Sequence, residues 1–125
     1  SSSAKYVTFT DGTLNISDKN ITSLEGLEYF SNIRKLICNN NDISEIPAEV
    51  LSRLSELTAQ NTGLTKLELA TSEQPNTTLV SLNIDGSTKL ESVDLYYCYN
   101  IEKFSALNCK LVYLDAITTV SMADV

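Results

Sequence analysis

Apolar residues in this chain fall in a recurring frame, neither steadily helical nor steadily strand-like. Between Ile33 and Ile46 they stand at 33, 36, 38, 43 and 46, with Asn41 among them. Leu36 and Cys38 alternate, as on a short strand that sends every second side chain inward. Asn41 then turns the chain, where its amide can satisfy backbone groups of neighbouring coils that burial would leave unpaired. Ile43 and Ile46 return to the core. A unit this short cannot bury its own apolar face, so it predicts copies of itself stacked side by side.

Four further copies are present. The pair Leu36 and Cys38 recurs as Leu14 and Ile16, Leu57 and Ala59, Leu82 and Ile84, and Phe104 and Ala106, at steps of 22, 21, 25 and 22 residues. A second series, Leu24, Ile46, Leu67, Val93 and Leu114, runs between them at steps of 22, 21, 26 and 21. Both lengthen at 71–78 (T-S-E-Q-P-N-T-T), which predicts one short insertion there, protruding as a loop. The turn position holds Lys19, Asn41, Thr62, Ser87 and Cys109, so only one copy carries the amide. The unit has the form L-x-x-L-x-L-x-x-N-x-L and resembles the leucine-rich repeat (LRR). The expected fold class is therefore an α/β or mostly β repeat fold. It is an LRR solenoid of about five 21–26-residue coils, with a parallel sheet on one face.

Short helical turns are expected on the convex side near the N-terminus. Leu27, Phe30 and Ile33 have helix-like spacing there, and Pro47 precedes Val50, Leu51 and Leu54 as a first-turn proline would. Farther on, Leu64–Leu69 and Leu90–Leu95 read as extended chain. Val7 and Phe9 alternate like a leading strand, with a turn at Asp11-Gly12. One domain is expected over 1–125: a cap region at 1–13, repeats at 14–117 and a tail at 118–125. The next main strand is due near residue 126, which leaves the last coil unfinished unless the tail folds back or the native chain continues.

Composition narrows the functional classes. At 42 % hydrophobic, the chain has enough apolar material for a core. Nine Lys and Arg against sixteen Asp and Glu leave a net charge of −7, which argues against a nucleic-acid partner. Apolar runs are only a few residues long, so no transmembrane segment is expected. Cys38, Cys98 and Cys109 occupy inward or turn slots and read as buried free thiols. Their odd number and the absence of histidine argue against a disulfide scaffold or metal site, and no cofactor is expected.

Two surfaces are candidates for binding. Outward positions of the main strands place Asn15, Lys35, Asn39, Glu56, Thr58, Gln60, Asn83 and Asp85 on one sheet face, offering amides, hydroxyls and a few charges to a protein or glycan. A secondary aromatic patch gathers Tyr96, Tyr97, Tyr99 and Tyr113, rings suited either to recognition or to covering the last coil. Glu68, Asp94 and Asp115 share one column, as stacked carboxylates that bind a cation or trade a proton would. No histidine, Gly-rich phosphate loop or G-x-S-x-G elbow accompanies them, so no enzyme activity is expected. Asn15, Asn20 and Asn76 each open an N-x-[ST] triplet.

The run from Leu14 to Ile33, above all I-T-S-L-E-G-L-E-Y-F, resembles the opening repeat of internalin-like bacterial LRR surface proteins. Leu36-Ile37-Cys38-Asn39-Asn40-Asn41 is similar to the L-x-C-x-N-N repeats of surface proteins from gut Gram-negative bacteria. The likeness is closest over 14–70. It implies a secreted or lipid-anchored module that binds protein or glycan, has no catalysis of its own, and often forms part of a longer chain with additional domains. The alternative is a structural spacer or capping segment of a larger surface protein or enzyme.

Overall fold

The computed structural model describes residues 8–111, 113–115 and 121–122, and side chains from 9 to 111. Its strands are β1 (Thr8–Thr10), β2 (Thr13–Asn15), β3 (Lys35–Ile37), β4 (Glu56–Thr58), β5 (Ser81–Asn83), β6 (Ser92–Asp94), β7 (Lys103–Ser105), β8 (Tyr113–Asp115) and β9 (Ser121–Met122). Leu14, Leu36, Leu57, Leu82 and Phe104 pair in sequence as parallel neighbours, so the repeat frame is the strand register itself. One residue of slip would turn every such side chain to the other face, so burial holds this register. β1 pairs antiparallel with β2 through a turn in which Asp11 (φ 53°) and Gly12 (φ 80°) are both left-handed, the type I′ geometry that matches strand twist. Val7 lies outside the described residues. Among the described residues the main sheet runs β1-β2-β3-β4-β5-β7-β9, and β6 and β8 form a second, two-stranded sheet.

Among the described side chains both apolar series enter one continuous core, in which Leu36, Cys38, Leu57, Leu82 and Phe104 of the main frame and Leu24, Ile46, Leu67 and Val93 of the second are buried. Asn41 sits inside it at 3 % exposure. Its Oδ1 accepts from Lys19 N (3.1 Å) and Ile21 N (3.0 Å), and its Nδ2 donates to Ile16 O (2.9 Å). The other turn positions bridge coils with different chemistry. The Thr62 and Ser87 hydroxyls lie 2.9 Å apart, Ser87 Oγ donates to Ala59 O, and Cys109 Sγ donates to Ile84 O. Hydroxyl and thiol thus do what the amide does elsewhere.

A second column is visible only in the backbone conformation. Asp18, Asn40, Asn61, Gly86 and Asn108 all have left-handed φ, between 53° and 72°, one in each coil. Asp and Asn adopt this conformation more readily than other side chains, and glycine freely. Neighbouring members are joined: Asn40 Nδ2 donates to Asp18 Oδ1 (2.8 Å), and Asn61 Nδ2 to Asn40 Oδ1 (3.2 Å).

Four expectations change. The convex turn near the N-terminus is a 3-10 helix, Leu27–Tyr29, and Phe30 has left helical geometry (φ −93°, ψ 86°). Its ring is therefore 62 % exposed while Leu27 and Ile33 are buried. The insertion protrudes only in part. Asn76 is buried, its Oδ1 accepting from Thr78 N and Leu79 N and its Nδ2 donating to Leu51 O and Leu69 O. Asn76 is thus a structural amide. The Leu64–Leu69 segment forms no paired strand; among the described residues, regular pairing on that side is confined to β6 and β8. Finally, the main frame returns at Met122, opposite Phe104, earlier than residue 126, because the last connection is shorter than its predecessors. As expected, α1 (Ala48–Leu51) follows Pro47 and buries Val50 and Leu51.

Candidate functional site

Short strands hold their side chains in columns, so β2 to β5 present the predicted sheet-face residues on one surface. At its centre, Lys35 Nζ lies 3.0 Å from Glu56 Oε2, with the side chains 48 % and 46 % exposed. Such an exposed pair adds roughly 0–1 kcal/mol to stability. Thr58 and Gln60 are half-buried beside it.

The remaining predicted residues are partly engaged within the protein. Asn15 Oδ1 accepts from Ser17 N, and Asn83 Oδ1 from Asp85 N, each at 3.0 Å, closing the strand ends as Asx turns. Asn39 Oδ1 accepts from Gln60 N (2.8 Å), one coil on. Asp85 Oδ1 takes both Ser105 Oγ (2.6 Å) and Leu107 N (2.8 Å). Asn39 and Asp85 thus tie one coil to the next, while Asn15 and Asn83 close their own strand ends.

In the carboxylate column, Glu68 lies 3.9 Å from Lys66 Nζ, and Asp94 Oδ1 accepts from Tyr96 N at 2.9 Å. Asp94 and Asp115 are partners in the register of β6 and β8, and the Asp115 side chain lies outside the described residues. Among the described residues no three His, Cys, Asp or Glu side chains gather as a metal site would require.

Tyr96, Tyr97 and Tyr99 do meet. Tyr96 and Tyr97 pack edge-on with centroids 5.0 Å apart, and Tyr97 and Tyr99 at 6.4 Å. Tyr97 is half-buried between two exposed partners, so the cluster covers the coil and also faces water. Tyr113 contributes its backbone to β8, and its side chain lies outside the described residues. A second aromatic surface lies outside the repeat pattern: Phe9, Tyr29 and Phe30 line one groove at the N-terminal end. The adjacent pair Tyr29-Phe30 was the available signal, masked by the helical spacing that placed Phe30 in the core.

All three cysteines are free thiols, with Cys38 and Cys98 buried and Cys109 half-buried. Burial pushes the Cys38 thiol up to about 12. Burial, helped by the Asp94 carboxylate, pushes Cys98 up to about 11. Neither is a nucleophile near neutral pH. No helix among the described residues is long and apolar enough to cross a membrane.

Compared with known protein families, residues 3–124 match the family described as Endo-beta-N-acetylglucosaminidase EndoS LRR domain. Curated proteins offer no match to the chain.

Proposed function

The chain belongs to the family of the EndoS LRR domain, and from that premise we propose that it is a non-catalytic recognition module binding a protein or glycan partner through its main sheet face. The observation that carries this reading is the half-exposed Lys35–Glu56 pair, set among outward amides and hydroxyls on a sheet whose register is held by burial. Rigid elements position contact groups better than loops do. Likeness of its first repeats to internalin-like bacterial surface proteins supports a working place outside the cell, secreted or lipid-anchored.

The test is binding of the full chain to arrays of glycans and of extracellular proteins, followed by charge reversal. Lys35→Glu and Glu56→Lys are each expected to weaken a genuine hit about tenfold, the scale of one lost charged contact, with circular dichroism unchanged. A hit indifferent to both variants places recognition elsewhere.

A second reading, a structural part of a larger enzyme, draws on the same family, since EndoS is itself named as an endo-beta-N-acetylglucosaminidase. Intact mass and terminal mapping of the protein from its native source separate the two. A chain fused to a catalytic domain, together with empty arrays, favours the structural part.

A further inference from the structure

At the end of the solenoid carrying β1, three rings stand in water: Phe9 is 51 % exposed, Tyr29 82 % and Phe30 62 %. All three line a groove of about 450 Å³, floored by Leu14 and Ile33 and rimmed by Ser31 and Asn32. Large rings left exposed together mark a surface that something covers.

The chemistry of the groove selects among occupants. In a chain of net charge −7, no charged side chain among the described residues lines it. Beside the rim, Arg34 commits Nη1 to the Ser31 (2.7 Å) and Ile33 (3.1 Å) carbonyls, and the lining itself, which is uncharged, matches an uncharged ligand. Its size, about 450 Å³, suits a small ligand better than a protein surface. A stable protein interface or dimer buries about 1,200–2,000 Å², far more than three rings and their floor can supply. Small-molecule grooves begin at about 300 Å³, and this one lies above that threshold. The rim then matters. The Tyr29 and Ser31 hydroxyls and the Asn32 amide make no hydrogen bond with the described residues, so donors and acceptors stand ready beside the ring faces. A ligand with an apolar face edged by neutral hydroxyls fits both parts, and a pyranose ring has that form: axial C–H groups on one face, hydroxyls around the edge.

We propose that Phe9, Tyr29 and Phe30 form a binding site for a neutral saccharide, separate from the main sheet face. Rings take the C–H face, and Asn32, Ser31 and the Tyr29 hydroxyl take the sugar hydroxyls. The site is shallow and binds a chain end or one or two residues of a longer glycan.

The test is NMR titration of the full chain with three neutral trisaccharides as probes: triacetylchitotriose, cellotriose and maltotriose. At least one is expected to shift the amides of Phe9 and Tyr29 to Ile33 while leaving those of Lys35 and Glu56 in place. Tyr29→Ala and Phe30→Ala are expected to weaken that binding about tenfold each, a typical loss for one ring contact. Because both rings are solvent-exposed, the thermal midpoint should hold. Silence from all three probes overturns the proposal, as do shifts confined to the sheet face. Two results name another occupant and also overturn it. One is a concentration-dependent mass abolished by Tyr29→Ala, meaning a second copy. The other is binding that appears only after removal of residues 1–7, meaning the chain's own leading segment.

Discussion

Asn41 and Asn32 are the same residue type with opposite roles. Asn41 satisfies buried donors and acceptors on two coils, so Asn41→Ala strands several of them at once. Each unsatisfied group costs about 1–3 kcal/mol, and the expected loss is about 3–5 kcal/mol by urea denaturation. Asn76→Ala should behave similarly, whereas Asn32→Ala should stay within about 0.5 kcal/mol. At this scale the repeat frame marks Asn41 as internal while Asn76 reads as loop, because burial of a polar side chain depends on coils that only the assembled fold supplies. The thiols give a pH signature. Unfolded cysteine ionises near 9.0, while folded Cys38 and Cys98 hold their protons to about 12 and about 11. Between those values the unfolded state binds fewer protons, so stability falls as pH rises above about 9. Cys38→Ala should reduce that fall in a series of melts from pH 8 to 11, and native protein should yield Cys38 and Cys98 to a thiol reagent only on denaturation.

Coil-to-coil contact is set at the left-handed column. Gly86 has φ 72°, and a Cβ there would sit 2.0 Å from Asn61 Oδ1. Gly86→Ala therefore meets both backbone strain and a neighbour held in place by its own hydrogen bond to Asn40, and should cost about 2–3 kcal/mol. A Cβ on Gly63 would lie equally near Asp42 Oδ1, but that side chain is 77 % exposed and held only by a long surface ion pair with Lys89 (3.9 Å), so it can swing away. Gly63→Ala should cost clearly less, and equal losses would mean that crowding outweighs backbone conformation. The hairpin of β1 and β2 was legible from Asp11-Gly12 and alternating residues, since turn type depends on local chemistry. The column itself was not: Asp, Asn and Gly look unrelated until their shared φ is seen.

Over the whole molecule, one core cluster runs from Leu14 to Ala106, so unfolding should be a single transition. Tyr29 near one end and Tyr96 to Tyr99 near the other report on it separately. Their fluorescence, read in variants that keep one group of rings, should melt together with the far-ultraviolet circular dichroism. Leu57→Ala, in the middle coil, should lower both signals together and cost about 2–5 kcal/mol. Fraying of one end ahead of the other would show the coils to be weakly coupled. The strand register, the number of coils and the identity of most core residues were determined by sequence alone, because stacking identical units can bury the apolar frame in only one way. Tertiary structure decided which polar side chains became internal ties, that Asn76 is buried and that Phe30 is bare. Those outcomes depend on what the neighbouring coil places opposite each residue, and a repeat pattern records the spacing of neighbours without their side chains' directions.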